Sequence, residues 1–128
     1  MPTFHTCGTS WLWQAPLDDG TVAWTWAGEL DAPPTAAARG FDVTWRLVRP
    51  TGGAAYRIVG DAAAMLDPRS GQGVLFAMSS ALAAARSIVA VEQAPHLRSL
   101  EAAGYDAFVA TEFRRKCDEL TRRDSAAG

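Results

Sequence analysis

The residues with the clearest chemical potential lie in one run near the middle of the chain, residues 56–77. Residues 56–59, Tyr-Arg-Ile-Val, are mostly apolar and partly β-branched, which predicts a short buried strand. A turn-rich segment, 60–73, follows, and Val74 opens a long apolar run that predicts a buried helix. Glycines before a helix let a ligand approach the backbone, and the first helical turn carries free N–H groups and partial positive charge. The run is therefore typical of a cradle for a large polar cofactor.

The order of these residues resembles the Gly-Asp motif of FAD-dependent monooxygenases and halogenases. In that family a hydrophobic strand, Gly-Asp-Ala-Ala, a proline and Gly-x-Gly precede a helix, and the Asp-Pro-x-Ser-x-Gln-Gly variant here is most similar to the tryptophan-halogenase-like branch. The resemblance implies FAD as cofactor, with Asp61 holding the ribityl hydroxyls and the loop and helix start facing the pyrimidine end of the flavin. The implied cofactor-binding residues are Gly60, Asp61, Pro68, Gly71, Gln72, Gly73 and Val74.

A second motif lies upstream, in the order that the family shows. Residues 11–16, Trp-Leu-Trp-Gln-Ala-Pro, resemble the Trp-x-Trp-x-Ile-Pro motif of flavin-dependent halogenases, with Ala15 in place of the isoleucine. In the family this strand lies near the passage between flavin and substrate, so the resemblance puts Trp11, Trp13 and Pro16 on the substrate side. The departure at Ala15 leaves oxygenation and halogenation both open.

The elements that must position these residues begin with a predicted hairpin. Residues 3–16 and 21–27 are rich in Trp, Thr and Val and flank a turn that ends in Asp19-Gly20. Because side chains alternate along a strand, Trp11 and Trp13 share one face of the first strand, and Trp24 and Trp26 share one face of the second. Two interpretations stay open: a sheet packed on a core, or a broad aromatic wall of four tryptophans for a flat ring.

The segments around the central run read as connections, a strand and helices. Residues 29–40 predict a connection, and 42–49 a half-buried strand whose Arg46 and Arg49 either meet cofactor phosphates or lie solvated at an edge. Residues 96–103 predict a short helix ending at Gly104. Residues 105–123 predict an amphipathic helix with an apolar core stripe. Its opposite face is expected to be solvated, and its charged residues are Glu112, Arg114, Arg115, Lys116, Glu119 and Arg122.

Composition limits the class of protein. The chain has 128 residues, 48% hydrophobic and 20% charged, and a formal net charge of −2, which indicates a folded protein and gives no reason to expect a nucleic-acid partner. The first residues lack the basic and apolar regions of a signal peptide, which favours a cytoplasmic location. The apolar stretch 74–91 is interrupted by Ser79, Ser80 and Arg86, which favours a buried helix over a membrane span.

Residues for catalysis or metal binding are not identified. Cys7 and Cys117 form no CxxC pair. A single disulfide between them is one alternative, and two reduced thiols are the favoured one. His5 and Cys7 are too few for a metal site, which needs three or four ligands. Nothing places a nucleophile near His5 or His96, so no catalytic triad is predicted. The catalytic residues are therefore unknown.

Taken together, the pattern predicts an α+β fold. Antiparallel strands with a hairpin are followed by a strand-loop-helix unit that contacts FAD and by C-terminal helices, which the resemblance implies to be part of the FAD/NAD(P)-binding, hydroxybenzoate-hydroxylase-like fold. The corresponding segments are 1–50 with the aromatic wall, 51–93 with the Gly-Asp unit, and 94–128 with helices and a frayed tail.

The expected function follows from what the resemblance covers. It spans about residues 8–95 and matches only a C-terminal half, because the sequence has no Gly-x-Gly-x-x-Gly for the pyrophosphate. The chain is thus expected to be part of an FAD-dependent monooxygenase or halogenase acting on an indole-like or phenol-like molecule or side chain. Its partners would be the missing N-terminal half or another copy of itself. The alternative is a non-catalytic remnant or split-enzyme subunit that serves as a binding or assembly module.

Overall fold

The computed structural model describes residues 1–7, 10–28 and 39–126, so most of the expected connection at 29–40 lies outside the described residues. The fold is α+β, with antiparallel strands followed by two long helices. The chain divides into two compact units, residues 1–40 and 41–128, which are described separately below.

The described part of the first unit forms a three-stranded antiparallel sheet in the order β1 (Thr3–Cys7), β2 (Ser10–Pro16) and β3 (Val22–Ala27). The predicted hairpin is confirmed between β2 and β3. Its turn is closed by the Leu17 N–H, which donates to the Thr21 carbonyl at 2.8 Å, and by the Gly20 N–H, which donates to the Leu17 carbonyl at 3.0 Å. Gly20 has φ 83°, a left-handed conformation that favours glycine.

The strand register corrects the expectation of one aromatic wall. Trp11 lies opposite Ala27, and Leu12 lies opposite Trp26. Residues directly opposite each other in an antiparallel pair project to the same face, so the two tryptophan pairs face opposite ways. The length of the turn decides this, because shifting the register by one residue would bring all four together. One face carries Trp11 and Trp13, and the other carries Trp24 and Trp26.

The second unit begins with two short strand pairs. β4 (Arg46–Leu47) pairs antiparallel with β7 (Ala64–Met65), and β5 (Gly52–Gly53) pairs with β6 (Tyr56–Arg57). The strand predicted at 42–49 is reduced to β4, although exposed and half-buried side chains alternate along it as expected. The strand predicted at 56–59 is reduced to β6, because its pairing with β5 covers only two residues. The expected burial is wrong, since Tyr56 and Val59 are exposed.

Two helices and three short 3₁₀ turns follow in the described part of the second unit, which ends at residue 126. The turns are Gly60–Ala62, Pro68–Ser70 and Pro95–Leu97, and the helices are α1 (Gly73–Gln93) and α2 (Arg98–Ala126). The expected helix boundary at Gly104 is wrong, since α2 runs through it without a break. A glycine inside a helix costs about 1 kcal/mol, which the packing of α2 along α1 outweighs.

The core of the second unit lies between the Gly-Asp turn, α1 and α2. The predicted apolar stripe of α2 is confirmed, with Tyr105, Val109 and Leu120 buried. The buried core cluster consists of Ala63, Ala64, Leu66, Phe76, Ala84, Tyr105 and Val109.

The expectation that α1 is a buried helix is wrong for its outer face. Leu75, Met78 and Leu82 are each more than half exposed, whereas Phe76 and Ser80 on the inner face are buried. Within the described ranges, α1 is the one helix long and apolar enough to cross a membrane by length and composition, and 28% of that apolar window is buried. The sequence of α1 is apolar all round, but only one face of the helix is buried and the other is exposed.

Candidate functional site

The Gly-Asp turn is fastened to both helices by hydrogen bonds. The Gly60 N–H donates to Ser80 Oγ on α1 at 3.0 Å, and that hydroxyl donates to the Ala77 carbonyl at 3.0 Å. The Tyr105 hydroxyl on α2 donates to the Ile58 carbonyl at 2.7 Å. Gly60 has φ 59°, and a Cβ there would meet the Ala77 Cβ at 3.4 Å. The left-handed backbone thus favours glycine at this position, whereas the distance to Ala77 is that of an ordinary van der Waals contact.

Asp61 lies in the first turn after this anchor with its side chain exposed. Its carboxylate accepts no hydrogen bond and forms no ion pair with any residue that the structure describes. An ionised carboxylate is an acceptor for up to about four hydrogen bonds. Asp61 is therefore available to accept hydrogen bonds from hydroxyl groups of a ligand.

The second part of the site is the start of α1. The turn Pro68–Ser70 leads to Gly71, which has φ 62°, and a Cβ built on either Gly71 or Gly73 meets nothing within 4 Å. The first intrahelical bond is from the Phe76 N–H to the Gln72 carbonyl at 2.9 Å. The N–H groups at Gly73, Val74 and Leu75, in the first turn of α1, have no acceptor within the described part of the chain. The open glycines thus leave the positive end of a 21-residue helix accessible.

Lys116 joins this site, and the expectation that it lies on a solvated face is wrong. Its side chain is only 4% exposed, and its Nζ donates to Gln72 Oε1. Among the described residues no carboxylate lies within 4 Å of this ammonium. A buried cation beside a helix N-terminus makes the local potential positive, which favours an anionic or electron-rich group. The sequence signal was its spacing, because Val109, Phe113, Lys116 and Leu120 follow one helical stripe.

The two arginines considered for cofactor phosphates are engaged by carboxylates. Arg46 forms an exposed ion pair with Asp42, and Arg49 Nη2 donates to Asp106 Oδ2 at 2.5 Å. Asp106 Oδ1 accepts from the buried Thr51 through its N–H at 2.7 Å and its hydroxyl at 3.0 Å. The hydrogen bond from the Thr51 N–H, with further help from the Arg49 guanidinium, lowers the pKa of Asp106 below its usual value. These contacts give Arg49 a structural role, tying the 49–51 segment to α2.

Sequence reasoning also missed Arg57, which organises the β5–β6 hairpin. Its guanidinium donates to Ser87 Oγ at 2.9 and 3.1 Å and to the Gly53 carbonyl at 2.5 Å, and it lies 5.9 Å from the centre of the Tyr105 ring. Burial raises the pKa of the Tyr105 hydroxyl. An open groove of about 250 Å³ lies beside Arg57, lined by residues 54–57 of the hairpin, by Ile88, Val91 and Glu92 near the C-terminal end of α1, and by Arg98 of α2. The groove is thus at the opposite end of α1 from the glycines.

The expected substrate-side residues belong to the first unit. Trp11 is 6% exposed and stacks on Phe4 with ring centroids 5.6 Å apart, so it forms part of the packing of the sheet. Trp13 is 36% exposed, and Pro16 is exposed at the end of β2. On the other face, the Trp26 Nε1 is buried without a hydrogen-bond partner among the described residues. Of the three expected residues, Trp13 and Pro16 present surface to a ligand.

Possible metal ligands and thiols can be compared among the described residues. In the ranges that the structure describes, no three His, Cys, Asp or Glu side chains converge as a metal site. Cys117 is a free thiol, and burial raises its pKa above the usual value.

Comparisons of the chain with known protein families, with curated proteins and with solved structures find no match. The resemblance to flavin enzymes thus rests on the residues of the two motifs, and the site must be judged by its own geometry.

Proposed function

We propose that this chain is the FAD-contacting, C-terminal portion of a flavin-dependent oxidoreductase, a monooxygenase or halogenase acting on an indole-like or phenol-like substrate. One combination carries the proposal: an exposed carboxylate at Asp61 that has no partner among the described residues, and an open glycine turn at the start of α1, both in one loop anchored by Ser80. This arrangement offers an acceptor for hydroxyl groups and a positive surface for an electron-rich ring edge.

The residues fit a flavin in three respects. Asp61 would hold ribityl hydroxyls, and the absence of side chains at Gly71 and Gly73 leaves room for a flat ring against the backbone. The N–H groups of the first turn of α1, with Lys116 behind Gln72, favour negative charge on the pyrimidine end. FAD, when bound, supplies the redox chemistry and the activation of oxygen. The chain's own residues bind the cofactor, orient it and stabilise its charge.

A second candidate function is a non-catalytic binding or assembly module. The observation that favours it is the open apolar face of α1, since soluble monomers rarely expose contiguous apolar patches of more than a few hundred Å². The two functions are compatible, because a flavin-contacting subunit of a split enzyme must also associate with other chains.

The test is a titration of flavin fluorescence with the chain and its Asp61→Ala variant, using FAD and riboflavin. Because the sequence has no pyrophosphate fingerprint, we expect weak binding in which the two flavins have similar affinity and ADP does not compete. Loss of a charge-assisted hydrogen bond costs roughly 1.5–3 kcal/mol, so Asp61→Ala should weaken binding by about ten-fold to a hundred-fold.

The matched control is Asp118→Ala, which removes an exposed aspartate on α2 and should leave flavin affinity unchanged. Equal affinity of the wild type and Asp61→Ala would remove Asp61 from the site and with it the main support for the flavin function. Binding of FAD much tighter than riboflavin would contradict the half-site, because it would require a second locus for the ADP moiety.

A further inference from the structure

The outer face of α1 carries a regular apolar seam. Its members follow each other at alternating spacings of three and four residues, and all of them are exposed. This 3.5-residue average is the repeat that keeps a seam facing a neighbouring helix in two-stranded packing. The seam consists of Leu75, Met78, Leu82, Ala85 and Val89, flanked by the exposed Ile88.

The fold holds this seam outward. The opposite side of α1 is the one packed into the unit, with Phe76, Ser80, Ala84, Ser87 and Val91 buried. Ser80 binds the Gly-Asp turn, and Ser87 accepts from Arg57. Rotating α1 to bury the seam would break these bonds and expose Phe76, so the seam can be covered only from outside this packing.

We propose that a second copy of this chain packs on the seam, with α1 against α1 in antiparallel orientation around Leu82. The proposal does not rest on flavin binding. Six apolar side chains along about 20 Å of helix would bury on the order of 400–600 Å² of surface per chain. A stable interface buries roughly 800 Å² per partner, so the seam would supply half or more of that area. The seam would therefore form the apolar centre of the interface, and neighbouring polar residues its rim.

Charge decides the orientation. The next position of the seam after Val89 is Glu92, which is exposed. A parallel pair would place the two Glu92 carboxylates against each other, whereas an antiparallel pair centred on Leu82 separates them by about 30 Å along the axis. An antiparallel pair also matches Leu75 of one copy with Val89 of the other.

Sedimentation of the full chain over about a hundredfold concentration range tests the association. We expect a dimer whose dissociation constant rises at least about tenfold in Leu82→Glu, because the two-fold axis brings the two introduced carboxylates together. The matched control is Leu100→Glu, since Leu100 on α2 is 67% exposed and Leu82 is 60% exposed. Circular dichroism of both variants checks that they remain folded.

Cross-linking tests the orientation. Two single variants, Leu75→Cys and Val89→Cys, are made in a background with Cys7 and Cys117 replaced by serine. An equimolar mixture of the two should form a disulfide dimer that contains one chain of each, whereas each variant by itself should form little dimer. A monomeric wild type, or a dimer equally stable in Leu82→Glu, would overturn the proposal. Association only with lipid vesicles would assign the seam to a membrane surface instead. Disulfide dimers of Leu75→Cys alone, without the mixed species, would overturn the antiparallel arrangement.

Discussion

At the scale of the residue, Asp106 shows how one carboxylate holds a connection that contains no regular structure. It accepts from Thr51 through one oxygen and from Arg49 through the other, so residues 49–51 are tied to α2. Thr51 is fully buried, and without Asp106 its N–H and hydroxyl would lose their acceptor. An unpaired buried donor costs free energy, which makes this contact more important than an exposed ion pair.

Asp106→Asn should lower the free energy of unfolding by roughly 1–2 kcal/mol at neutral pH, after allowing for the solvent that reaches Arg49. The pKa of Asp106 is lowered in the folded state, so its contribution is present above the unfolded pKa, near 3.8, and is lost as pH falls through the lower folded pKa. Urea unfolding at several pH values measures this. The wild type and variant should converge at acidic pH, whereas Asp118→Asn should follow the wild type throughout.

Lys116 is the residue whose position most changes the interpretation of the site. The sequence offers several charged neighbours on α2, and Lys116 shares the helical spacing of Val109 and Leu120. The packing of α2 beside the start of α1 then buries it against Gln72. Its ammonium adds to the positive end of the helix, at the position where the flavin proposal requires stabilisation of negative charge.

At the scale of the element, the glycines of the second unit separate into those required by conformation and those that are not. Gly71 has φ 62°, whereas Gly104 lies inside α2, and neither has a neighbour that an added Cβ would meet within 4 Å. An added Cβ therefore has room at both glycines, and the two positions differ in backbone conformation alone.

Gly104→Ala should raise the free energy of unfolding by about 0.5–1 kcal/mol, because alanine loses less backbone entropy in a helix. Gly71→Ala should lower it by roughly 1–2 kcal/mol, since a left-handed backbone is unfavourable for alanine. Thermal unfolding monitored by circular dichroism compares the two variants. Stabilisation by both changes, or by neither, would contradict the assignment of these backbone conformations.

At the scale of the whole molecule, the two compact units differ in what holds them together. The described residues of the first form one sheet with a few buried side chains, whereas every member of the buried core cluster lies in the second, between Ala63 and Val109. A single small sheet is marginal alone, while two packed helices and a core can support independent folding.

A fragment of residues 41–128 should therefore keep its helical circular dichroism and unfold in one cooperative thermal transition. The matched fragment, residues 1–40, should show no cooperative transition of its own, because three short strands bury little apolar surface. Calorimetry of both fragments is the measurement. A broad, non-cooperative transition for 41–128 would show that its core depends on the first unit.

The sequence by itself determined the features that depend on neighbours along the chain. The Asp-Gly turn and alternating strands predicted the β2–β3 hairpin, the glycines and apolar run predicted the start of α1 near Val74, and helical spacing predicted the buried stripe of α2. Turn chemistry and periodicity are local properties, so they can be read without knowing the fold. The residues of the candidate site, Asp61 among them, follow from the resemblance of residues 60–74 to the Gly-Asp motif of flavin enzymes, and their role in flavin binding stays a prediction.

Only the tertiary structure decided the features that depend on which surfaces meet. The strand register divided the four tryptophans between the two faces of the sheet. A change of one residue in the register would have moved every side chain of the paired strand to the opposite face. Packing against α1 carried α2 through Gly104 and buried Lys116 beside Gln72. An apolar helix such as α1 has no polar stripe to mark its outer side, so the sequence could not show which face the core would take and which face would remain open.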